Sequence, residues 1–431
     1  MSRQSKDIMV IGFALFAMFL GAGNLIFPPF LGFQSGDGWI FSAAGFLVSG
    51  VGLSILGILA VTTAGGKTEA LAEKVSPLFA TLLTTTIILT IGPLVAIPRT
   101  AATAYELGIL SLFPQVPAIL SSLLFFAVTL WLVINPTNVI DKLGKVLTPV
   151  MLFLLLGIII KGIFFPSGAP TSSTMQAPFA DGFLLGYQTM DALASVIFAG
   201  TIVTAVKARG YQEQEVISIT SKAGCVAGIA LASIYGGLIL LGANAMNILP
   251  ADASRSDVLT SVTHMSMGEI GVASMAIVVI LACLTTAVGL TTTVGHYFQH
   301  LSRGRLPYRW LVTATVIFSA LLANAGIDRI VQFAGPILDI LYPVVIVLII
   351  LNLLERWVSL EDAYVGSVVG VLSLRLLDIL LLLGISHRKV EGWLEMVPFS
   401  EYGLAWLLPA FFGGVLSWSW KRVWHLIPKE R

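Results

Sequence analysis

Long apolar runs separated by short polar connections organise the chain. A membrane-crossing helix needs about 20 mostly apolar residues. On that template twelve segments qualify, at about 8–33, 39–63, 78–112, 117–134, 143–165, 182–206, 217–248, 268–299, 308–325, 329–354, 362–385 and 402–420. The longest connections, 166–181 and 249–267, are too short to fold alone. The pattern predicts an all-α polytopic membrane protein with one membrane domain over residues 1–431 and no soluble domain.

Composition sharpens this. Of the 431 residues, 57% are hydrophobic and only 11% charged, and the mean hydropathy is +0.93, far beyond what a soluble core of this size requires. A net charge of +1 without a basic tract leaves no electrostatic footprint for nucleic acid. Cys225 and Cys283 both fall in apolar runs and read as packing residues, not as a disulfide or a zinc site. Arg3 and Lys6 precede an apolar run too long for a signal peptide and without a small-residue cleavage site, so it reads as the first span.

With alternating spans, most of the 24 basic residues fall on the side of the N-terminus, among them Lys67, Lys74, Lys142, Lys145, Lys207, Arg209, Arg303, Arg305, Arg356, Lys421 and Arg422. The opposite side carries few, such as Lys161, Arg255, Arg329, Arg388 and Lys389. The asymmetry predicts both ends in the cytoplasm, with "RVWHLIPKER" as a basic interfacial tail and Trp424 as its anchor.

"MFLGAGNLIFPPFLG" (18–32) breaks the rules of a membrane helix at its centre. Gly21-Ala22-Gly23-Asn24 falls at the midpoint of the first span, and Pro28-Pro29 removes two amide donors. Irregular backbone at that depth survives only when buried in protein or lining a wet cavity. Two half-helices with an unwound joint are expected, offering amide donors to a carboxylate and free carbonyls to a dehydrated cation.

Inverted repeats would place a matching break five spans later. The sixth span, "GFLLGYQTMDALASVIFAGTIVTAV", carries Gln188, Asp191, Ser195 and Gly200, with its midpoint near 194. Asp191 is either a functional intramembrane acid or a structural hydrogen-bond partner of broken backbone. In the eighth span, Thr285 and Thr286 lie at the depth of the first half-helix's carbonyl end, as a neutral-oxygen cation site requires, although threonines also bond to their own helix.

Other intramembrane polar groups read first as structural. Arg99 and Glu106 in the third span pair with neighbours or line a pathway, and Arg375 and Asp378 pair with each other. Gly335-Pro336 in the tenth span predicts a break or hinge near Asp339. His296 and His300 lack the glutamate of a zinc-protease motif.

"GAGNLIFPP", "GPLVAIPRT", "YQTMDALASVIF" and "LTTAVGL", in order along essentially the whole chain, resemble the branched-chain amino acid system II carriers (BrnQ type), bacterial sodium-coupled importers of leucine, isoleucine and valine. The resemblance implies a leucine-transporter (LeuT-like) five-plus-five inverted repeat with broken helices one and six. Repeat one would cover about 8–165 and repeat two about 182–354, with two additional helices within 362–420. It further implies a substrate carboxylate at Gly21, Ala22, Gly23 and Asn24, and a sodium site from Ala17, Leu20, Ala282, Thr285 and Thr286, with Thr286 in place of a serine. The outer-gate arginine of the wider fold is absent after the asparagine.

The expected function is sodium-coupled import of branched-chain amino acids across the bacterial cytoplasmic membrane by alternating access. The substrate ammonium would meet the unwound carbonyls of spans one and six and its side chain an apolar pocket near Leu193, Ala194, Phe198 and span three, with Asp191 and Thr100 also in the substrate site. Sodium is co-transported, no organic cofactor is expected, and the partners are the amino acid and membrane lipid, with no obligate protein partner. The alternatives are a proton-coupled carrier using Asp191 or Glu106, a passive channel, and a membrane enzyme; the last finds no nucleophile–base or metal constellation.

Overall fold

The computed structural model describes residues 2–134, 148–173, 175–355, 360–382 and 397–426, with the side chains of 378–382 and 421–426 outside that description. Among the described residues every regular element is helical. Six helical stretches are long and apolar enough to cross a membrane, and five shorter apolar helices accompany them.

The first span is α1 (Arg3–Phe19) and α2 (Ala22–Ser35). Ser2 caps α1 by accepting from the Ser5 amide at 3.1 Å. The second is α3 (Trp39–Phe46), a wider π turn at Leu47–Gly52, and α4 (Leu53–Thr63). The third begins with α5 (Pro77–Leu89), where Ser76 caps and Pro77 stands at the first helical position. It continues in α6 (Ala96–Thr103). Then come α7 (Ala118–Ile134), α8 (Thr148–Phe164), α9 (Pro178–Tyr187), α10 (Asp191–Ala208) and α11 (Glu213–Asn244). The chain continues through α12 (Arg255–Leu301), α13 (Tyr308–Ala323), α14 (Ile327–Leu354), α15 (Ala363–Leu382) and α16 (Leu407–Leu426). Capping boxes start α11 at Gln212/Glu215 and α12 at Ser254/Asp257.

The bundle is apolar outside and selectively polar inside. Trp131 and Phe153 are 74% and 78% exposed on α7 and α8, whereas Asn24, Arg99, Asp191 and Ser195 are buried. That inversion suits a solvent of lipid chains, where burying polar groups among hydrogen-bond partners is the favourable arrangement. Close helix approach holds the centre: α2 lies against α11 so tightly that a Cβ on Gly32 would fall on the Ile239 carbonyl, and one on Gly242 on the Pro29 carbonyl.

Contacts among the connections mark two groups. Arg3 donates to the Arg209 carbonyl at 3.1 Å and Asp7 pairs with Arg209 at 3.5 Å, so the N-terminus and the 209 turn share one face. Asp37 bonds to Thr171 and Ser173, which share the other.

Several expectations are corrected. The first break spans only Leu20 and Gly21; Ala22–Asn24 form the first turn of α2, and Pro28 and Pro29 lie inside that helix, held by its packing on α11. The sixth span starts at Pro178 and breaks at 188–190, ahead of its midpoint. Gly335-Pro336 does not break α14, which runs continuously through both Pro336 and Pro343. The third span, by contrast, kinks at Gly92 (φ −90°, ψ −119°) and Val95. The eighth span does begin where expected, because Gly268 (φ 62°) interrupts α12 there. Cys225 is exposed on α11 instead of packed inside, while Cys283 is buried. Residues 143–147 and 383–385, the Asp378 side chain, Lys142, Lys145, Arg356, Arg388, Lys389 and the Trp424 anchor lie outside the described residues or side chains.

Candidate functional site

The two breaks meet. Leu20 (φ −68°, ψ 84°) leaves helical geometry, and Gly21 is extended before α2 begins. On the other side, Gln188, Thr189 and Met190 separate α9 from α10, with Met190 at φ 64°, a left-handed conformation that costs a non-glycine residue about 1–2 kcal/mol and is held by its surroundings. Between them lies a cavity of about 30 Å³, lined among others by Gly21, Ala22, Asn24, Thr100, Asp191, Ala194, Phe198 and Thr286. Eight of the fourteen sequence-derived site residues thus face one space. Leu193 is not among its lining and is fully buried in the core, while Gly23 turns to Arg99.

A hydrogen-bond cluster ties the breaks together. Asn24 Nδ2 donates to Asp191 Oδ2 at 2.5 Å and also contacts the Tyr235 hydroxyl, which itself lies 3.3 Å from Asp191 Oδ2. The first turn of α2 is therefore pinned to the first residue of α10 by side chains, and α11 contributes the third member. Tyr235, on α11, carried no sequence signal, because a single tyrosine within an apolar helix resembles packing. Arg99, for which the sequence left pairing with neighbours and lining a pathway both open, lines the cavity. It is buried, its Nη1 donates to the Gln188 carbonyl at 2.6 Å, and its guanidinium stands 5.5 Å from the Phe27 ring centroid.

The oxygen set expected for a cation is assembled on the α1 side. The Thr285 hydroxyl donates to the Ala282 carbonyl at 2.9 Å and lies 3.4 Å from the Ala17 carbonyl oxygen, so the helix back-bond and the approach to α1 coexist. Thr286 Oγ1 is buried without a hydrogen-bond partner, and a Cβ on Gly21 would stand 3.1 Å from it. An orphaned buried hydroxyl is costly unless a ligand supplies its partner. Leu20 closes α1 by donating to the Phe16 carbonyl at 2.8 Å. Glu106 is structural: it accepts from the Ile327 amide at 3.0 Å and from Ser256 at 3.2 Å, capping α14. His296 stacks on Tyr308 with centroids 4.8 Å apart.

The site is closed on one side and approached on the other. Toward the face of Asp37, Arg255 lies over the Phe27 and Phe30 rings, 6.0 and 4.9 Å from their centroids, and pairs with Asp328 at 2.5 Å. Toward the face of the N-terminus, a cavity of about 780 Å³ reaches from Met18, which also lines the central space, to Lys67, Glu69 and His300.

Comparison with known proteins places this architecture. A family model described as "branched-chain amino acid transport protein" matches residues 4–423. The chain belongs to that family. It is 38% identical over 423 residues to the branched-chain amino acid permease BraB of Bacillus subtilis, covering 96% of this chain and 95% of the relative. It is 33% identical over 435 residues to the permease BrnQ of Escherichia coli K12, covering 97% and 96%. The solved structure of MhsT in complex with L-phenylalanine superposes with a TM-score of 0.62 at 16% identity, covering 95% of this chain and 98% of that one, which shows a LeuT-type fold. The family consists of transporters and not enzymes.

Proposed function

We propose that this family member imports leucine, isoleucine and valine together with sodium across the bacterial cytoplasmic membrane by alternating access. The observation that carries the reading is the meeting of two helix breaks, at 20–21 and 188–190, around one enclosed polar centre. The matched breaks, five spans apart, support a five-plus-five inverted repeat followed by two helices, twelve spans in all, and the charge asymmetry supports cytoplasmic ends.

In this reading the substrate carboxylate meets the free amides of the first turn of α2, which also carries the positive end of the helix dipole. The branched side chain takes the apolar wall of Ala194 and Phe198. Sodium binds between α1 and α12, at the Ala17 and Leu20 carbonyls and the Thr285 and Thr286 hydroxyls. It would fix α1 against α12, and its release would loosen the inner side.

The enclosed space holds little more than one water, whereas ligand sites commonly span about 300–1,000 Å³. Admission of an amino acid therefore requires the half-helices to part, as alternating access demands. Proteoliposome uptake of labelled leucine tests the proposal: it should require an inward sodium gradient and be competed by isoleucine and valine. Uptake unchanged without sodium but driven by a pH gradient, and lost in Asp191→Asn, would select proton coupling instead; the burial of Asp191 beside the α2 break favours that as the second reading.

A further inference from the structure

Two opposite formal charges face the central cavity, and the transport reading above uses neither as one of a pair. Arg99 and Asp191 both line it and are each only 3% exposed, yet no direct ion pair joins them among the described residues. Holding isolated ions in a bundle core costs several kcal/mol each unless something compensates. Asp191 Oδ2 receives only neutral donors, from Asn24 and Tyr235. Arg99 gives Nη1 to the Gln188 carbonyl, while its Nε is buried without an acceptor. A guanidinium offers five donors in a planar fork suited to a carboxylate.

Position adds to the argument. The guanidinium lies against Gly23, where a Cβ would stand only 2.8 Å from Nη2, so the missing side chain lets the cation reach the first turn of α2. That turn has free amides and the positive end of a helix dipole. Two positive features therefore converge on one side of the cavity, with the Asp191 carboxylate also on its lining.

We propose that Arg99 and Asp191 are the two poles that recognise an α-amino acid zwitterion: Arg99, with the α2 amides, takes the α-carboxylate, and Asp191 takes the α-ammonium. The inference deepens the transport reading and rests on the same cavity being the substrate site. A purely structural Arg99, stapling the α9–α10 joint, would serve every ligand alike.

The test is equilibrium binding to the purified full chain in lipid nanodiscs, with leucine, leucinamide (no carboxylate) and 4-methylpentanoate (no amine) as probes. The native protein should prefer leucine over either analogue by at least about a hundredfold. Arg99→Gln should weaken leucine by about tenfold or more while leaving leucinamide nearly unchanged, and Arg99→Lys should recover part of the loss. Asp191→Asn should erase the preference over 4-methylpentanoate in the same way. Equal weakening of leucine and leucinamide in Arg99→Gln, or unaltered selectivity in either variant, overturns the poles. If Arg99→Gln does not fold, selectivity in Arg99→Lys decides: a preference over leucinamide equal to the native one overturns the assignment. Failure of the transport reading gives a different result, native protein that binds none of the three branched-chain amino acids, and it removes this proposal with it.

Discussion

Thr286 is the residue at which the sodium hypothesis is most exposed. Its hydroxyl is buried, unpartnered and beside Gly21, and valine would keep its shape while removing the oxygen. Thr286→Val is expected to weaken sodium stimulation of uptake by about tenfold or more, with Thr286→Ser close to native; normal sodium dependence in the valine variant sinks the site. Gly23→Ala should act on the same centre from the α2 side. Its Cβ would crowd both Arg99 Nη2 and the Phe27 ring, so leucine binding should fall by about tenfold; unchanged leucine affinity would show that the guanidinium can retreat from α2 without consequence. These residues were legible because a glycine, asparagine or aspartate in the middle of an apolar run is costly at that depth unless something partners it, and the threonines because their depth matched the break in the first span. Leu193 shows the limit of such reading. Leu193 and Ala194 are neighbours in sequence but point about 100° apart around a helix, and only Ala194 reaches the cavity. Tyr235 and the guanidinium of Arg99 reach the centre through packing between distant helices, which no local pattern encodes.

Among helices, Gly-Pro pairs show what tertiary structure adds. Gly92-Pro93 sits at a kink, whereas Gly335-Pro336 lies within continuous α14. An interior proline costs a lone helix about 3 kcal/mol, and whether the chain bends to relieve that cost depends on its neighbours. Pro28 and Pro29 follow the same logic, because α2 is held along α11 and its break falls earlier, at Leu20 and Gly21, next to the buried Thr286 hydroxyl. Pro28→Ala should therefore leave both the break and leucine transport in place, measurable as uptake within about threefold of native. Gly32→Val should behave in the opposite way. Its side chain would fall on the Ile239 carbonyl, and overpacking of this kind costs about 1–3 kcal/mol or more. A clear drop in thermal stability in detergent is expected, together with loss of transport; a variant as stable as the native protein would show that α2 and α11 separate more easily than their contact implies.

Across the whole molecule, the proposed alternating access would make the cavity on the N-terminal face and the Arg255 contacts on the opposite face one state of a two-state carrier, with the N-terminal face inside. The missing arginine after the asparagine motif left the outer side without a gate in the sequence, and on the alternating-access proposal Arg255 at the start of α12 would serve as one, because it reaches Asp328 on α14 and the α2 aromatics. Both partners of that ion pair are partly exposed, so it contributes about 1 kcal/mol or less, and the ring contacts add about 0.5–2 kcal/mol. A closure of that strength would hold the outer side while remaining within reach of ligand binding energy. Arg255→Ala should therefore move the equilibrium toward the outward-open state by about 5–30-fold, the factor that 1–2 kcal/mol confers. A single cysteine at Thr292, on the wall of the 780 Å³ cavity, reports the shift in a Cys225→Ser background, since Cys283 is buried. Labelling from the inner side should slow by a comparable factor in Arg255→Ala, and sodium with leucine should restore it if the ligands favour the closed outer side. Asp328→Asn should produce a smaller slowing, because the ring contacts of Arg255 remain. Unchanged labelling in Arg255→Ala would mean that the outer side is held by the Asn24–Asp191–Tyr235 cluster and that Arg255 merely covers it.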